Sequence, residues 1–284
     1  MKILILGTGK SGTTALLFKV AGGLPNCKAF SGGRPGKYIG DYENAVYKHT
    51  YEERKGKSFD LYRQHLRKEH YDRKIWMTRD PRDAAVSRML YRWHKGYLGN
   101  MKQYRAHLEL VLKKEQDPGS IPFHVICRYT GHNGWPITTE QVIEEERIRY
   151  QRMYDFVKSL DSGWFLLKYE AMVGRNLDTL NTYLGFEVQD DGEVPRSHGK
   201  VVRKKSFGDW RHWFTEKDVE LFKPAYLPYM ELIGYDCEDW ALNPNPVIEP
   251  EYSSRYMQSL PRRAPLDAIR RYKERMVLRF MKKG

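Results

Sequence analysis

The chain opens Met1-Lys2-Ile3-Leu4-Ile5-Leu6-Gly7-Thr8-Gly9-Lys10-Ser11-Gly12-Thr13-Thr14-Ala15-Leu16-Leu17-Phe18-Lys19-Val20, and the reading of these residues decides the fold. Lys2 to Leu6 is an aliphatic run of strand length, which suits a parallel strand buried on both faces. Gly7 and Gly12 bracket a short polar loop, and Ala15 to Val20 begins a helix with an apolar face. Strand, glycine loop and helix in that order make an anion-binding unit. The glycines let the backbone turn tightly, and successive N–H groups at a helix N-terminus cradle a phosphate.

Outward from this unit, Gly22 to Asn26 ends the helix and Cys27 to Phe30 reads as a second strand. The glycine-rich residues from Ser31 to Gly40 form a loop, and Ala45 to Thr50 is a third strand. Phe59 to His70 has helical spacing. Lys74 to Thr78 is a strand, Arg79 to Asp83 a tight turn, and Ala84 to His94 a helix. Glu140 to Leu160 reads as a long charged helix and Trp164 to Lys168 as a strand, while Gly96 to Pro136 has no clear pattern. Strands alternating with helices predict the α/β class: a three-layer P-loop-like fold with a central, mainly parallel sheet flanked by helices.

The 284 residues suit one large domain. It is expected over residues 1–245, with residues 246–284 as a C-terminal extension. There Leu266, Ile269, Tyr272, Met276 and Phe280 recur at helical spacing among many basic residues. Such a basic amphipathic helix is expected to pack on its own domain or on a partner chain. Contact with an anionic membrane surface is the less favoured reading.

Hydrophobic residues make up 40% and charged residues 30%, a globular composition, and the net charge is +13. A basic balance favours anionic partners. The basic residues are spread over several segments and form no recognised nucleic-acid motif, so a nucleic-acid partner is not expected. No apolar run has the length of a membrane span. The apolar N-terminal run is too short for a secretory signal. Cys27, Cys127 and Cys237 are sparse and unpatterned. They suit a reducing, cytoplasmic setting better than a disulfide framework or a metal site.

Gly7 and Gly12 stand at Walker A spacing, after which a kinase or ATPase has Lys followed by Ser or Thr. Here Thr13 occupies the lysine position, and the lysine lies earlier, at Lys10. Such a loop binds one terminal phosphate through its amides, Thr13 and Thr14. Its lysine points toward a leaving or transferring group. Lys10-Ser11-Gly12-Thr13-Thr14 resembles the 5′-phosphosulfate loop of the sulfotransferase family, with Gly9 in place of the usual proline.

Further segments carry the same resemblance. Arg79-Asp80-Pro81-Arg82-Asp83-Ala84-Ala85-Val86-Ser87 is similar to the family's 3′-phosphate motif, which implies that Arg79 and Ser87 hold that phosphate. Asp83 also reads as an acidic capping residue. Arg203-Lys204-Lys205-Ser206-Phe207-Gly208-Asp209-Trp210 resembles the family's late basic loop, with Lys205 replacing a glycine. This implies that Arg203, Lys204 and Lys205 close over the 3′-phosphate. Tyr169-Glu170 is similar to a pair near the adenine, so Tyr169 is an adenine neighbour. The motifs follow the family's order over residues 1–235.

The resemblance implies an enzyme that moves a sulfuryl group from 3′-phosphoadenosine 5′-phosphosulfate (PAPS) to a hydroxyl or amine acceptor, releasing adenosine 3′,5′-bisphosphate (PAP). Ser11, Gly12, Thr13 and Thr14 would form the 5′-phosphate loop, Lys10 would stabilise the leaving phosphate oxygen, and no metal is required. The general base is expected at His49, in Lys48-His49-Thr50, with Glu43 and Asp41 as carboxylate alternatives. Tyr91 to Tyr104 and His124 to Trp135 are candidates for shaping an acceptor pocket. The acceptor itself is not legible, and a homodimer is left open. The alternative, a P-loop nucleotide-dependent kinase, is disfavoured by Thr13.

Overall fold

The structure is a computed structural model that describes residues 1–31, 42–51, 66, 69–94, 100–131, 135–189 and 206–260. The aliphatic opening forms β1 (Lys2–Thr8), buried along most of its length. It is followed by α1 (Thr13–Gly22), β2 (Lys28–Ser31), β3 (Ala45–Tyr51) and β4 (Arg73–Thr78). After β4 come α2 (Pro81–Leu90), α3 (Met101–Gln116), α4 (Phe123–Cys127) and α5 (Thr139–Lys158). Then follow β5 (Trp164–Lys168), α6 (Tyr169–Val173), α7 (Asp178–Leu184), α8 (Trp210–Trp213) and α9 (Glu216–Leu232).

The described strands make one sheet in the order β2-β3-β1-β4-β5. Every pairing in it is parallel. The all-parallel sheet explains the unbroken apolar runs, because helices cover both faces. Ile3, Ile5, Val46, Ile75 and Met77 pack with Leu16, Leu17 and Val20 of α1 and Leu180 and Leu184 of α7. On the other face, Leu6, Tyr51 and Trp76 pack with Met89 of α2, Phe156 of α5 and Tyr229 of α9. β1 is central, and the chain crosses from the β3 side to the β4 side of it. Ligands of open parallel sheets bind at such a switch point, outside the carboxyl ends of the strands.

Two expected boundaries move. The helix expected from Ala84 begins at Pro81, because proline suits the first helical turn and the Asp80 side chain caps it by accepting from Arg82 N. The capping role expected for Asp83 therefore belongs to Asp80. The packing also runs past the boundary expected at residue 245. Ile248, Tyr256, Met257 and Leu260 join the main core, and the Ser254 amide and hydroxyl donate to the Glu115 carboxylate at 2.7 and 2.9 Å. The helix expected over 59–70 falls mainly, and the basic C-terminal stripe wholly, outside the described residues.

The helical face opposite α1 is held by a buried charged network. Arg88 of α2 pairs with Glu146 of α5, which also accepts from Tyr226 of α9 at 3.0 Å. Burial alone would raise the Glu146 pKa, but Arg88 and Arg149 outweigh it and hold it below its ordinary value. Breaking one side of such a pair leaves an uncompensated buried charge. Arg88 thereby fastens α2, which borders the candidate site along its length.

Candidate active site

The loop after β1 is built by close approach. A Cβ at Gly7 would lie 2.5 Å from the Met77 carbonyl oxygen, so only glycine lets β1 and β4 run together there. Gly12 has φ +87°, and a Cβ on it would lie 2.6 Å from the Tyr169 ring. Gly12 also ends the loop as the N-cap of α1, with no side-chain cap and no acidic residue in the first turn. The helix N-terminus is thus left to attract an anion through its unpaired N–H groups and its dipole.

Ser11 is fully buried. Its amide and its hydroxyl both donate to the Thr8 carbonyl, at 3.3 and 2.8 Å. The Ser11 side chain therefore closes the loop on itself. Thr13 is buried beside Gly7 and Thr14 is half-exposed. Lys10 adopts φ +73°, a conformation that costs a non-glycine residue about 1–3 kcal/mol. Its ammonium lies 4.0 Å from the centroid of the Tyr91 ring, a cation–π contact, and that ring stacks on His94 at 4.2 Å.

Arg79 follows the last residue of β4 and ties three of the motifs together. Its guanidinium lies 4.5 Å from the Tyr169 ring centroid, and one N–H donates to the Lys10 carbonyl at 3.4 Å. Its Nε is buried and has no acceptor among the described residues. Tyr169 is thus held between Gly12 and Arg79, and burial raises its phenol pKa. Glu170 braces the same corner by accepting from the Asp80 amide at 3.0 Å and the Tyr235 hydroxyl at 2.7 Å.

Asp83, Ser87 and Tyr91 follow at four-residue spacing along α2 and its C-cap, on one face of the helix. Ser87 is half-buried there. Asp83 is 1% exposed and accepts from the amides of Gly208 and Trp210 at 2.6 and 3.0 Å. Burial pushes its pKa up to about 7, against the pull of Arg79. Nearby, Arg82 pairs with Asp80 at 2.6 Å and lies over Trp210 and Trp240 at 4.2 and 4.7 Å.

The expected bases separate. His49 is opposite Leu6 in register, near the carboxyl end of β3, and is 4% exposed. Alternation along the strand turns it to the face of Leu6 and Tyr51, away from α1. Thr50, its neighbour in sequence, comes to the loop after β1, within 3.9 Å of where a Gly9 Cβ would stand. Glu43 precedes β3 at the other end of the sheet, where its carbonyl accepts from the Met1 ammonium. Seven strand residues, roughly 20 Å, separate it from the loop. It therefore does not join the site, because parallel strands put their amino ends at the wrong side. Asp41, Arg203, Lys204 and Lys205 lie outside the described residues.

The two stretches expected to shape an acceptor pocket meet. Trp93 donates its indole N–H to His107 Nδ1 at 2.9 Å, and His107 stacks on Tyr129. This bond puts the His107 proton on Nε2. Burial and the charge of Arg92 push its pKa down to about 3. An unfolded histidine titrates near 6.5, so below that pH the unfolded chain takes up a proton that the folded one refuses. Stability is present above 6.5 and falls as pH drops, by about 2 kcal/mol at pH 5. Urea unfolding of His107→Phe should show a shallower loss between pH 6.5 and 5 than the parent; equal slopes would remove His107 as the cause.

The sulfotransferase domain family matches residues 59–234. The chain belongs to the sulfotransferase family. Mouse sulfotransferase 2B1 is 26% identical over 165 residues, covering 55% of this chain and 47% of that protein. The chain thus spans about half the length of the curated relative it matches. A crystal structure of mouse sulfotransferase SULT7A1 complexed with PAP matches at 18% identity with a TM-score of 0.41, over 81% of this chain and 83% of that one. The glycine loop after β1 lies before the matched residues and stands on its own geometry. Lys10, Gly12, Thr13, Arg79 and Tyr169 meet there. Three contributors take roles the sequence did not give them: Tyr91 under Lys10, Glu170 as a brace and Asp83 as a tether. Each stood in a segment the sequence singled out, but its partners lie far along the chain. Among the described residues no helix is long and apolar enough to cross a membrane.

Proposed function

We propose that this chain transfers a sulfuryl group from PAPS to a hydroxyl or amine acceptor and releases PAP. The observation that carries the reading is Arg79. Its buried Nε has no acceptor among the described residues, and its fork stands between the phosphate loop and the residue expected beside the adenine. A forked, permanently charged donor in that place fits a phosphate group. Thr13, where a kinase has its phosphate-binding lysine, is buried against Gly7, which weighs against the kinase alternative.

In this mechanism the loop amides, Thr13 and Thr14 hold the 5′-phosphate, and Arg79 with Ser87 holds the 3′-phosphate. The acceptor oxygen or nitrogen forms a bond to sulfur while the bond from sulfur to the bridging phosphate oxygen breaks. The electron pair stays on that oxygen, and Lys10 stabilises the charge that develops there. The acceptor's proton passes to a base, for which His49 is the described candidate at this end of the sheet. The cysteines are free thiols, one buried and two half-buried, which supports a reducing, cytoplasmic setting.

The test is thermal stabilisation by PAP, with ATP and magnesium as the control. A ligand present at 100 times its Kd adds about 2.7 kcal/mol. A clear shift with the bisphosphate is expected; a shift with ATP and magnesium alone would transfer the reading to the kinase.

A further inference from the structure

We propose that Tyr91 is a positioning residue whose ring holds the Lys10 ammonium where the leaving oxygen of the donor forms, and that the turn from Tyr91 to His94 ties this hold to α3. The inference rests on the sulfotransferase reading above and deepens it. The Lys10 ammonium lies 4.0 Å from the centroid of the Tyr91 ring. The His94 imidazole stacks on the same ring at 4.2 Å, with 9° between the planes. A ring stacked so closely fills the face it covers, so the ammonium takes the other face. A π face attracts the cation and, unlike a carboxylate, leaves its charge to act on a second group.

Lys10 is thereby fixed at both ends. Its backbone stands at φ +73° and its carbonyl accepts from Arg79, while its ammonium rests on the ring. Between these points lies a flexible four-carbon stem, whose rotamers would otherwise be frozen only as charge develops on the leaving oxygen. A donor set in place beforehand needs no reorganisation at that moment.

The ring can serve as a stop because its own backbone is pinned. Tyr91 is the C-cap of α2, and its amide donates to the Ser87 carbonyl at 3.2 Å. Its carbonyl accepts from the His94 amide and from His94 Nδ1, both at 3.1 Å. A carbonyl only accepts, so Nδ1 carries the imidazole proton, and this bond locks the imidazole against the Tyr91 ring. The two residues between reach outward. Arg92 donates to the Gly131 carbonyl at 2.6 Å. Trp93 is fully buried and donates to His107 of α3 at 2.9 Å. One short turn therefore joins α3 and the chain at Gly131, both in the stretches expected to shape an acceptor pocket, to the ring under Lys10.

The experiment compares full-length Tyr91→Leu and Tyr91→Phe, each alone and paired with Lys10→Met, in turnover of PAPS with the best acceptor from a screen. Tyr91→Leu keeps an apolar side chain and removes the π face. Its kcat should fall about 10- to 100-fold, the scale of a misplaced catalytic group, while PAP affinity by calorimetry changes less than about threefold. Tyr91→Phe keeps the face and should recover most of the lost turnover. In the Lys10→Met background, Tyr91→Leu should cost no more than about twofold, because the group it positions is gone. The contact also has a signature that needs no turnover. The lysine ε-methylene resonance that disappears in Lys10→Met should lie upfield, shielded by the ring, and should lose that shift in Tyr91→Leu. If Tyr91→Leu does not fold, His94→Ala, which bares the other face of the ring, carries the cycle, with a smaller loss that Lys10→Met again abolishes. Equal losses in both backgrounds, a Phe variant as slow as the Leu one, or an unshifted resonance would overturn the role of Tyr91. A parent chain that transfers no sulfuryl group from PAPS to any acceptor would instead overturn the sulfotransferase reading on which the inference rests.

Discussion

Turnover of the Lys10→Met enzyme is expected to fall by about 10²–10³-fold, the usual cost of losing one donor to a developing anion. PAP affinity should change by less than about tenfold, or 1.4 kcal/mol. The split follows from the geometry. The Lys10 backbone, at φ +73°, shapes the loop and gives its carbonyl to Arg79, and neither feature needs the ammonium. The ammonium itself rests on Tyr91, so methionine replaces it without opening the core. The assay uses the best acceptor from a screen of phenols, alcohols, amines and saccharides. A fall in kcat below about fivefold would contradict the charge-stabilising role. His49→Ala in the same assay tests the base, and unchanged turnover with intact PAP binding would reject it.

Arg79→Ala should weaken PAP binding by 2–5 kcal/mol, about 30- to 5,000-fold, because it removes one partner of a buried, charged contact. The loss should be much smaller for adenosine 5′-monophosphate. Arg79→Lys should recover only part of it, since an ammonium keeps the charge and loses the fork. The fold itself should suffer little. The guanidinium contributes one long hydrogen bond and the half-buried contact with Tyr169, and a contact of that kind is worth about 0.5–2 kcal/mol. Titration calorimetry on folded protein separates the two effects. Equal losses for the two nucleotides would move Arg79 away from the 3′-phosphate.

The elements that carry the site were legible because each is a local pattern. Lys2 to Leu6 is apolar without alternation because both faces of β1 are covered. Gly7 and Gly12 stand where backbone or a ring passes too close for a side chain. The turn at Arg79 was legible from its proline, although the start of α2 was not, because Asp80 rather than Asp83 makes the cap. The stretch from Gly96 to Pro136 was opaque for a different reason. Its α3 and α4 are held by long-range contacts, such as Trp93 with His107 and the Phe123 and His124 amides with Asp218, and no local spacing announces those.

The strand ends and turns that carry the candidate residues could be placed from sequence because strand, turn and helix each fix their own backbone within a few residues. Tertiary structure alone decided which side chains share a space. Ser11 turned inward to close its loop, and Glu43 fell at the amino end of a parallel sheet. His49 and Thr50 were assigned to opposite faces of β3, since a shift of one residue along a strand reverses the face. Asp83 found its partners 125 and 127 residues away. The sequence by itself determined the fold class, the glycine loop after β1 and the place of Arg79 at the end of β4. Register, face and long-range docking belong to the packed chain, because they depend on neighbours that are distant along it.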